Sequence, residues 1–220
     1  MSETRKRVVA VDGPAGAGKS TVSKIVAARL EYTYIDTGAM YRAVALKVLE
    51  SKLPLTEEAI IDAARTVEID QQSVDGVTKT FLDGRDVSTE IRTPEVSKIV
   101  SPVAKVGFVR QRLTELQRKM AARGGVLMDG RDIGTVVLPT ADVKIFLTAS
   151  VEERARRRFE ELKAKGFDVT LEEIEKDIAT RDKIDSEREI APLKQADDAI
   201  LLDTTGLSIE EVTAAIIKLI

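Results

Sequence analysis

The stretch Val8-Val9-Ala10-Val11-Asp12-Gly13-Pro14-Ala15-Gly16-Ala17-Gly18-Lys19-Ser20-Thr21 decides the fold. It opens on a continuous apolar run, residues 7–12, of the kind that forms a parallel strand buried on both faces. It then passes through Gly13, Pro14, Ala15, Gly16, Ala17 and Gly18, and enters TVSKIVAARL (residues 21–30). There Val22, Ile25, Val26, Ala28 and Leu30 recur at near-helical spacing. The turn between strand and helix carries G-x-x-x-x-G-K-S as Gly13, Gly18, Lys19 and Ser20. Glycines let such a loop wrap closely, with its backbone N–H groups turned inward to a phosphate. The helix that follows adds free amides and the positive end of its dipole. In this pattern Lys19 is expected to reach the β- and γ-phosphates of a nucleoside triphosphate, and Ser20 to sit on Mg²⁺.

Further along, the pattern alternates. A short strand is expected at Tyr34–Asp36 and a helix from Gly38 to Ser51. Residues 124–129 (GGVLMD), 143–148 (VKIFLT) and 199–203 read as further strands, and 208–219 as a closing helix. Strands alternating with helices imply a parallel sheet covered by helices on both faces. Two segments interrupt the alternation. Residues 66–88 hold Asp75-Gly76 and Asp83-Gly84 between short β-prone runs, which predicts a three-stranded antiparallel meander. Residues 150–191 are highly charged and helical, with Arg154, Arg156, Arg157, Arg158, Arg181 and Arg188.

Composition narrows the chemistry. The 220 residues suit one globular domain, and 43% apolar residues suffice for a core without metal or disulfide. With 34 basic and 37 acidic residues the net charge is −3, which argues against a nucleic-acid partner. The chain has no cysteine and no histidine, so thiolate zinc sites, cysteine nucleophiles and a Ser-His-Asp triad are excluded. The four-residue apolar run before Asp12 is too short for a signal segment, and no stretch approaches the ~20 apolar residues that span a bilayer. A cytoplasmic location and no membrane partner are expected.

The loop alone permits a kinase, a nucleotide-driven ATPase or GTPase, or a non-catalytic nucleotide binder. No Asn-Lys-x-Asp string of guanine-specific GTPases occurs, and Gly130 follows VLMD (126–129) where a hydrolase would carry a further acid. Asp129 at that strand's end is suited to hold Mg²⁺ through water, though a strand-end Asp also serves as a turn or cap residue. Arg154 and Arg158 are i, i+4 on a predicted helix; Arg181, Asp185 and Arg188 lie along another. Such runs are commonly solvated faces, and glutamates 152, 153, 160 and 161 are at hand to pair with them. They equally suit a lid that stabilises a phosphoryl group passing between two anions.

Asp36-Thr37-Gly38-Ala39-Met40-Tyr41-Arg42, Asp129-Gly130-Arg131-Asp132-Ile133-Gly134-Thr135 and Arg181-Asp182-x-x-Asp185-x-x-Arg188, then Ala191-Pro192-Leu193, follow the loop in order. With these motifs the chain resembles the bacterial cytidylate (CMP/dCMP) kinases along essentially its whole length. The resemblance implies an α/β, P-loop NTPase three-layer fold with a parallel five-stranded sheet, a small antiparallel NMP-binding insertion and an arginine-rich helical lid. It implies one kinase domain with a core of residues 1–62, 102–150 and 192–220, an insertion of about 63–101 and a lid of about 151–191. It implies ATP as donor with Mg²⁺ at Ser20 (or the neighbouring hydroxyl, Thr21) and Asp129, and CMP and dCMP as substrates. Apart from the resemblance, no coiled-coil heptads occur, so a monomer is the default expectation.

Position by position, the resemblance implies Gly13 to Thr21, Arg154 and Arg158 on the donor, with Arg154 over the adenine and Arg158 over the phosphates. Thr37 and Arg42 are implied in the acceptor site, and Ser101, Arg110 and Asp132 on the cytosine ring. Asp185 is implied at the ribose, with Arg131, Arg181 and Arg188 on phosphate. Lys19, Arg131, Arg158, Arg181 and Arg188 are implied in catalysis. Because Pro102 suits the first position of a helix, Ser101 is also a candidate N-cap.

Overall fold

The computed structural model describes residues 6–74, 77–164 and 166–220. The chain divides into two compact units, one of Met1–Tyr32 with Gly124–Ile220 and one of Thr33–Arg123.

The first unit is built on parallel strands β1 (Val8–Asp12), β6 (Val126–Gly130), β7 (Val143–Thr148) and β8 (Ile200–Asp203). They lie in the order β6-β1-β7-β8. In β1, Val9 pairs with Leu127 on one side and with Val143 on the other, while Val11 pairs with Asp129 and Ile145. Val9, Ala10 and Val11 are all fully buried, so both faces of the strand are covered. That is why its sequence is a continuous apolar run rather than an alternation. Helix α1 (Lys19–Leu30) packs on the strands and on the C-terminal α8 (Ile209–Leu219), burying Val22, Val26, Val212 and Ile216. A capping box between Ser208 and Glu211 starts α8. The fifth strand of the parallel sheet, β2 (Thr33–Asp36), is the point at which the second unit begins. The parallel five-stranded sheet expected from sequence is therefore present.

Helices α6 (Val151–Ala164) and α7 (Leu171–Glu187) form a hairpin with a small core of its own. Ala155, Ile174 and Ile178 are buried there, with Val151, Phe159, Leu162 and Val169 packed against them. Thr170 and Glu173 cap α7 reciprocally. No helix among the described residues is long and apolar enough to cross a membrane.

The second unit comprises α2 (Thr37–Ser51), α3 (Glu57–Thr66), the antiparallel strands β3 (Ile69–Val74), β4 (Val77–Leu82) and β5 (Arg85–Asp86), then α4 (Pro94–Lys105) and α5 (Gly107–Ala121). The meander order is β3-β4-β5. At Asp83-Gly84 both residues take positive φ (49° and 80°), the conformation of a tight primed hairpin. Asp83 also accepts the Glu68 backbone N–H and pairs with Lys47, which ties the turn to α2. The turn expected at Asp75-Gly76 lies outside the described residues.

One local expectation fails. Ser101 and Pro102 do not begin a helix; both lie inside α4. Its N-cap is Thr93, whose hydroxyl accepts from the Val96 N–H, and Pro94 holds the first helical position. Pro102 lies inside the helix near its end, where it has no N–H to give the Lys98 carbonyl.

Candidate functional site

The phosphate-cradle sequence folds as a loop pinned at both ends. Gly13 takes φ 147°, and a Cβ there would lie 1.9 Å from the Leu147 carbonyl oxygen of β7, so only glycine fits. Gly18 is left-handed at φ 85° and caps α1, taking the Thr21 and Val22 N–H groups on its carbonyl. Lys19 is buried, and its Nζ donates to the Gly13 and Pro14 carbonyls at 2.7 Å each. The next carbonyl, of Ala15, accepts from Arg154 at 3.0 Å. Three consecutive loop carbonyls are thus held by cationic side chains.

Ser20 Oγ donates to Asp129 Oδ2 at 2.7 Å, which joins the first turn of α1 to the end of β6; Thr21 is exposed. A hydroxyl and a carboxylate in contact form an oxygen donor set suited to a hard cation such as Mg²⁺. Among the described residues no cluster of three or more acidic side chains could hold a metal by itself. Ser20 and Asp129 would supply only part of such a cation's oxygen ligands.

The electrostatics of this end of the sheet are strongly perturbed. Burial pushes the Lys19 ammonium well below its ordinary pKa, and the guanidiniums of Arg131 and Arg181 push it the same way, while Asp129 and Asp12 oppose them. Asp12, at the end of β1, is buried with its carboxylate on the Ile133 and Gly134 N–H groups at 2.8 and 2.7 Å. Those are free donors at the start of the π-helical turn Ile133–Val137. Burial raises the Asp12 pKa to about 6; the two N–H bonds and Lys19 pull it down, and Asp132 pushes it up.

The residues on β6 and α7 come together. Arg131 Nε donates to Asp185 Oδ2 at 2.9 Å, and Arg188 reaches Asp132 at 3.3 Å and Asp185 at 3.8 Å. Arg181 lies near enough to act on both Lys19 and Asp185. Burial would raise the Asp185 carboxyl, but Arg131, Arg181 and Arg188 outweigh it and hold it below its ordinary value. Asp185 also anchors the following segment, its carbonyl accepting the Leu193 N–H at 2.7 Å. The side chain of Arg188 is only 5% exposed, so here the solvated-face reading does not hold.

The paired arginines of α6 separate. Arg154 is buried, donating to the Ala149 and Ala15 carbonyls and pairing with Asp182 at 2.6 Å. Arg158, one turn further along α6, is partly exposed and pairs with Glu161. Arg157, which sequence reasoning passed over, donates to the Thr204 hydroxyl and carbonyl at 3.1 and 2.7 Å, and its guanidinium approaches Gly18. Asp12 and Asp182 were also passed over. The one available signal for Asp12 is a charge ending a wholly apolar strand, directly before Gly13.

In the second unit, Thr37 is buried at the first position of α2. Asp36 caps that helix on the Ala39 N–H, and Gln71 of the meander clamps the Asp36 backbone through both its N–H and its carbonyl. Arg42 donates to Ser97 Oγ at 2.9 Å and to the Ile91 carbonyl. Arg110 is buried on α5, donates to the Ala104 carbonyl, and lies 5.3 Å from the Tyr41 ring centre. Ser101 is partly buried on α4.

Comparison with known proteins adds the following. The sequence model of the family described as cytidylate kinase matches residues 9–220. A cytidylate kinase of Bacillus cereus (strain ATCC 10987 / NRS 248) is 55% identical over 217 residues, covering 98% of this chain and 96% of that protein. One of Bacillus thuringiensis (strain Al Hakam) matches with the same identity and coverage. Among solved structures, an uncharacterized protein from Eubacterium ventriosum ATCC 27560 is similar with a TM-score of 0.53 at 13% identity, covering 97% of each chain. That likeness is one of fold.

Proposed function

The chain belongs to the cytidylate kinase family, and on that premise we propose that it transfers the γ-phosphoryl group of ATP to CMP or dCMP, giving ADP and CDP or dCDP. The observation that carries this reading is the convergence on Lys19. Arg131, just after β6, and Arg181, on α7, both act on the loop lysine, adding to burial in lowering its pKa. Positive groups drawn from three elements to one place, against their mutual repulsion, suit a reaction that brings two polyanions together.

The acceptor is an ionised phosphate oxygen, so no general base is required and a chain without histidine loses nothing. In this reading the loop Gly13 to Thr21, through its backbone N–H groups (Pro14 has none), and the α1 N-terminus receive the donor phosphates. Lys19 and Arg158 stabilise charge on the transferring group, while Arg131, Arg181 and Arg188 orient the acceptor phosphate. Ser20 and Asp129 would hold Mg²⁺, which when bound neutralises charge between the donor phosphates. By the resemblance, acceptor-binding positions also fall on Thr37 and Arg42, base-reading positions on Ser101, Arg110 and Asp132, and a ribose position on Asp185. The meander within 63–101 serves as the nucleotide-binding insertion, and α6 with α7 as the lid over residues 151–191 that excludes water.

The test is a coupled ADP-release assay with CMP, dCMP, UMP, AMP and shikimate as alternative acceptors. Turnover with CMP or dCMP well above the others is expected. Equal or better turnover on a non-cytidine acceptor, or acceptor-independent phosphate release, would overturn the assignment.

A further inference from the structure

The motif Arg181-Asp182-x-x-Asp185-x-x-Arg188 assigns work to three of its charged residues and leaves Asp182 without any. In the structure Asp182 Oδ2 lies 2.6 Å from the Arg154 guanidinium, and Oδ1 is buried with no hydrogen-bond partner among the described residues. Holding a carboxylate this way is unfavourable for folding alone, since a buried acceptor without a donor forfeits its hydration.

Arg154 has further contacts. Its Nε donates to the Ala149 carbonyl at the end of β7, and the Nη1 that meets Asp182 also donates to the Ala15 carbonyl. Gly16, left-handed at φ 77°, sits against the Arg154 backbone closely enough that a Cβ would fall 3.2 Å from its carbonyl oxygen. In a planar trans peptide the C=O and the next N–H point in opposite directions. A carbonyl of Ala15 fixed on Arg154 therefore fixes the direction of the Gly16 N–H. Lys19, on the Pro14 carbonyl, does the same for the Ala15 N–H; its other acceptor, the Gly13 carbonyl, precedes a proline that has no N–H to set.

We propose that Asp182 and Arg154 are positioning residues for the donor loop. Asp182 orients the Arg154 guanidinium, and Arg154 sets the Ala15–Gly16 peptide so that its N–H is presented to a phosphate. The same strut ties the loop to α7, the helix that carries Arg181, Asp185 and Arg188. This rests on reading the loop as the donor site. Neither residue touches a reacting atom in this scheme; both act through the peptide they hold.

The experiment measures binding of the non-hydrolysable triphosphate AMP-PNP with Mg²⁺, and separately of CMP, by calorimetry on the full chain, with thermal melting alongside. Asp182→Asn keeps the shape and removes the charge. It is expected to weaken AMP-PNP about tenfold, the scale of one charge-assisted contact, and to leave CMP within about twofold. Asp182→Glu restores the carboxylate and is expected to recover most of the loss. Arg154→Lys keeps the charge without the planar fork that serves two carbonyls and a carboxylate together, and is expected to behave like Asp182→Asn. AMP-PNP affinity within twofold of wild type in Asp182→Asn would overturn the proposal, as would equal losses for AMP-PNP and CMP. Failure of both Asp182→Asn and Arg154→Lys to fold would also overturn it, because the pair would then be structural. Because the readout is binding, a chain that failed to phosphorylate CMP would disprove the kinase reading and leave this result intact.

Discussion

Arg131 at the end of β6 and Asp185 on α7 meet at 2.9 Å, with Arg188 closing a second contact on the same carboxylate. A strand end and a helix 54 residues apart in sequence are joined by charge, and the cluster keeps Asp185 ionised to unusually low pH.

That cluster has an acid signature. The folded-state pKa of Asp185 is depressed, so its contribution to stability is fully present above the unfolded value and is lost as pH falls through the lower folded one. Thermal melts taken from pH 6 down to pH 3 are expected to show a steep loss of stability at the acid end. In Asp185→Asn that part of the loss should be absent, from a lower starting stability. An unchanged acid slope in the variant would count against the cluster.

Arg188 and Arg158 should part company on truncation. Sequence alone suggests that arginines on such a helical face are exposed and contribute little to stability. Arg188 is instead buried between Asp132 and Asp185, so Arg188→Ala removes a cation shared by two carboxylates, of which Asp185 keeps Arg131, and is expected to cost about 1–3 kcal/mol as well as turnover. Arg158→Ala, at a partly exposed position, should leave the melting temperature close to wild type while turnover falls. Paired melting and ADP-release measurements on the two variants check this.

Two glycines with positive φ should respond very differently to alanine. Gly13→Ala drives a Cβ into the Leu147 carbonyl, and no side chain can yield there; loss of soluble, cooperatively folding protein is expected. At Gly84 nothing lies within 4 Å of the added Cβ, so only the backbone preference is lost, about 1–2 kcal/mol by denaturant titration.

Asp12 carries the opposite pH dependence to Asp185. Its folded pKa, about 6, lies above the ordinary 3.8, so the folded state takes up a proton between those values and gains stability as pH falls through the window. The stabilisation is lost again as pH rises through 6, and at neutral pH the ionised carboxylate is held at a cost on the order of 3 kcal/mol. Comparing wild type with Asp12→Asn at pH 7 and pH 5 should show the wild type gaining relative to the variant on acidification. An identical trend in both proteins would remove Asp12 as the source.

The phosphate loop was legible because its chemistry demands a spacing, and β1, β6 and β7 because a strand buried on both faces is apolar along most of its length, Lys144 in β7 being an interruption that bonds Pro139 and Asp198. Asp12 and Asp182 were not, since an acidic residue does not announce which backbone N–H or guanidinium it will meet. Arg154 and Arg158 illustrate the limit of helical spacing. Four residues place them on one face, but the extra turn carries one to the Ala15 carbonyl and the other beyond it. At Ser101-Pro102 the first-position rule for proline applied equally to Thr93-Pro94, and the cap formed at the earlier pair.

Strand β1 is the first element among the described residues, yet its two neighbours, β6 and β7, come from residues 126–130 and 143–148. Between them lies the whole of the second unit, Thr33–Arg123. On a ribosome the order of emergence follows: the intervening unit is complete while β1 still waits for both partners. The loop at Gly13–Ser20 is thus made before the strands that flank it, and a chain halted before Val126 would carry the motif without either strand beside β1.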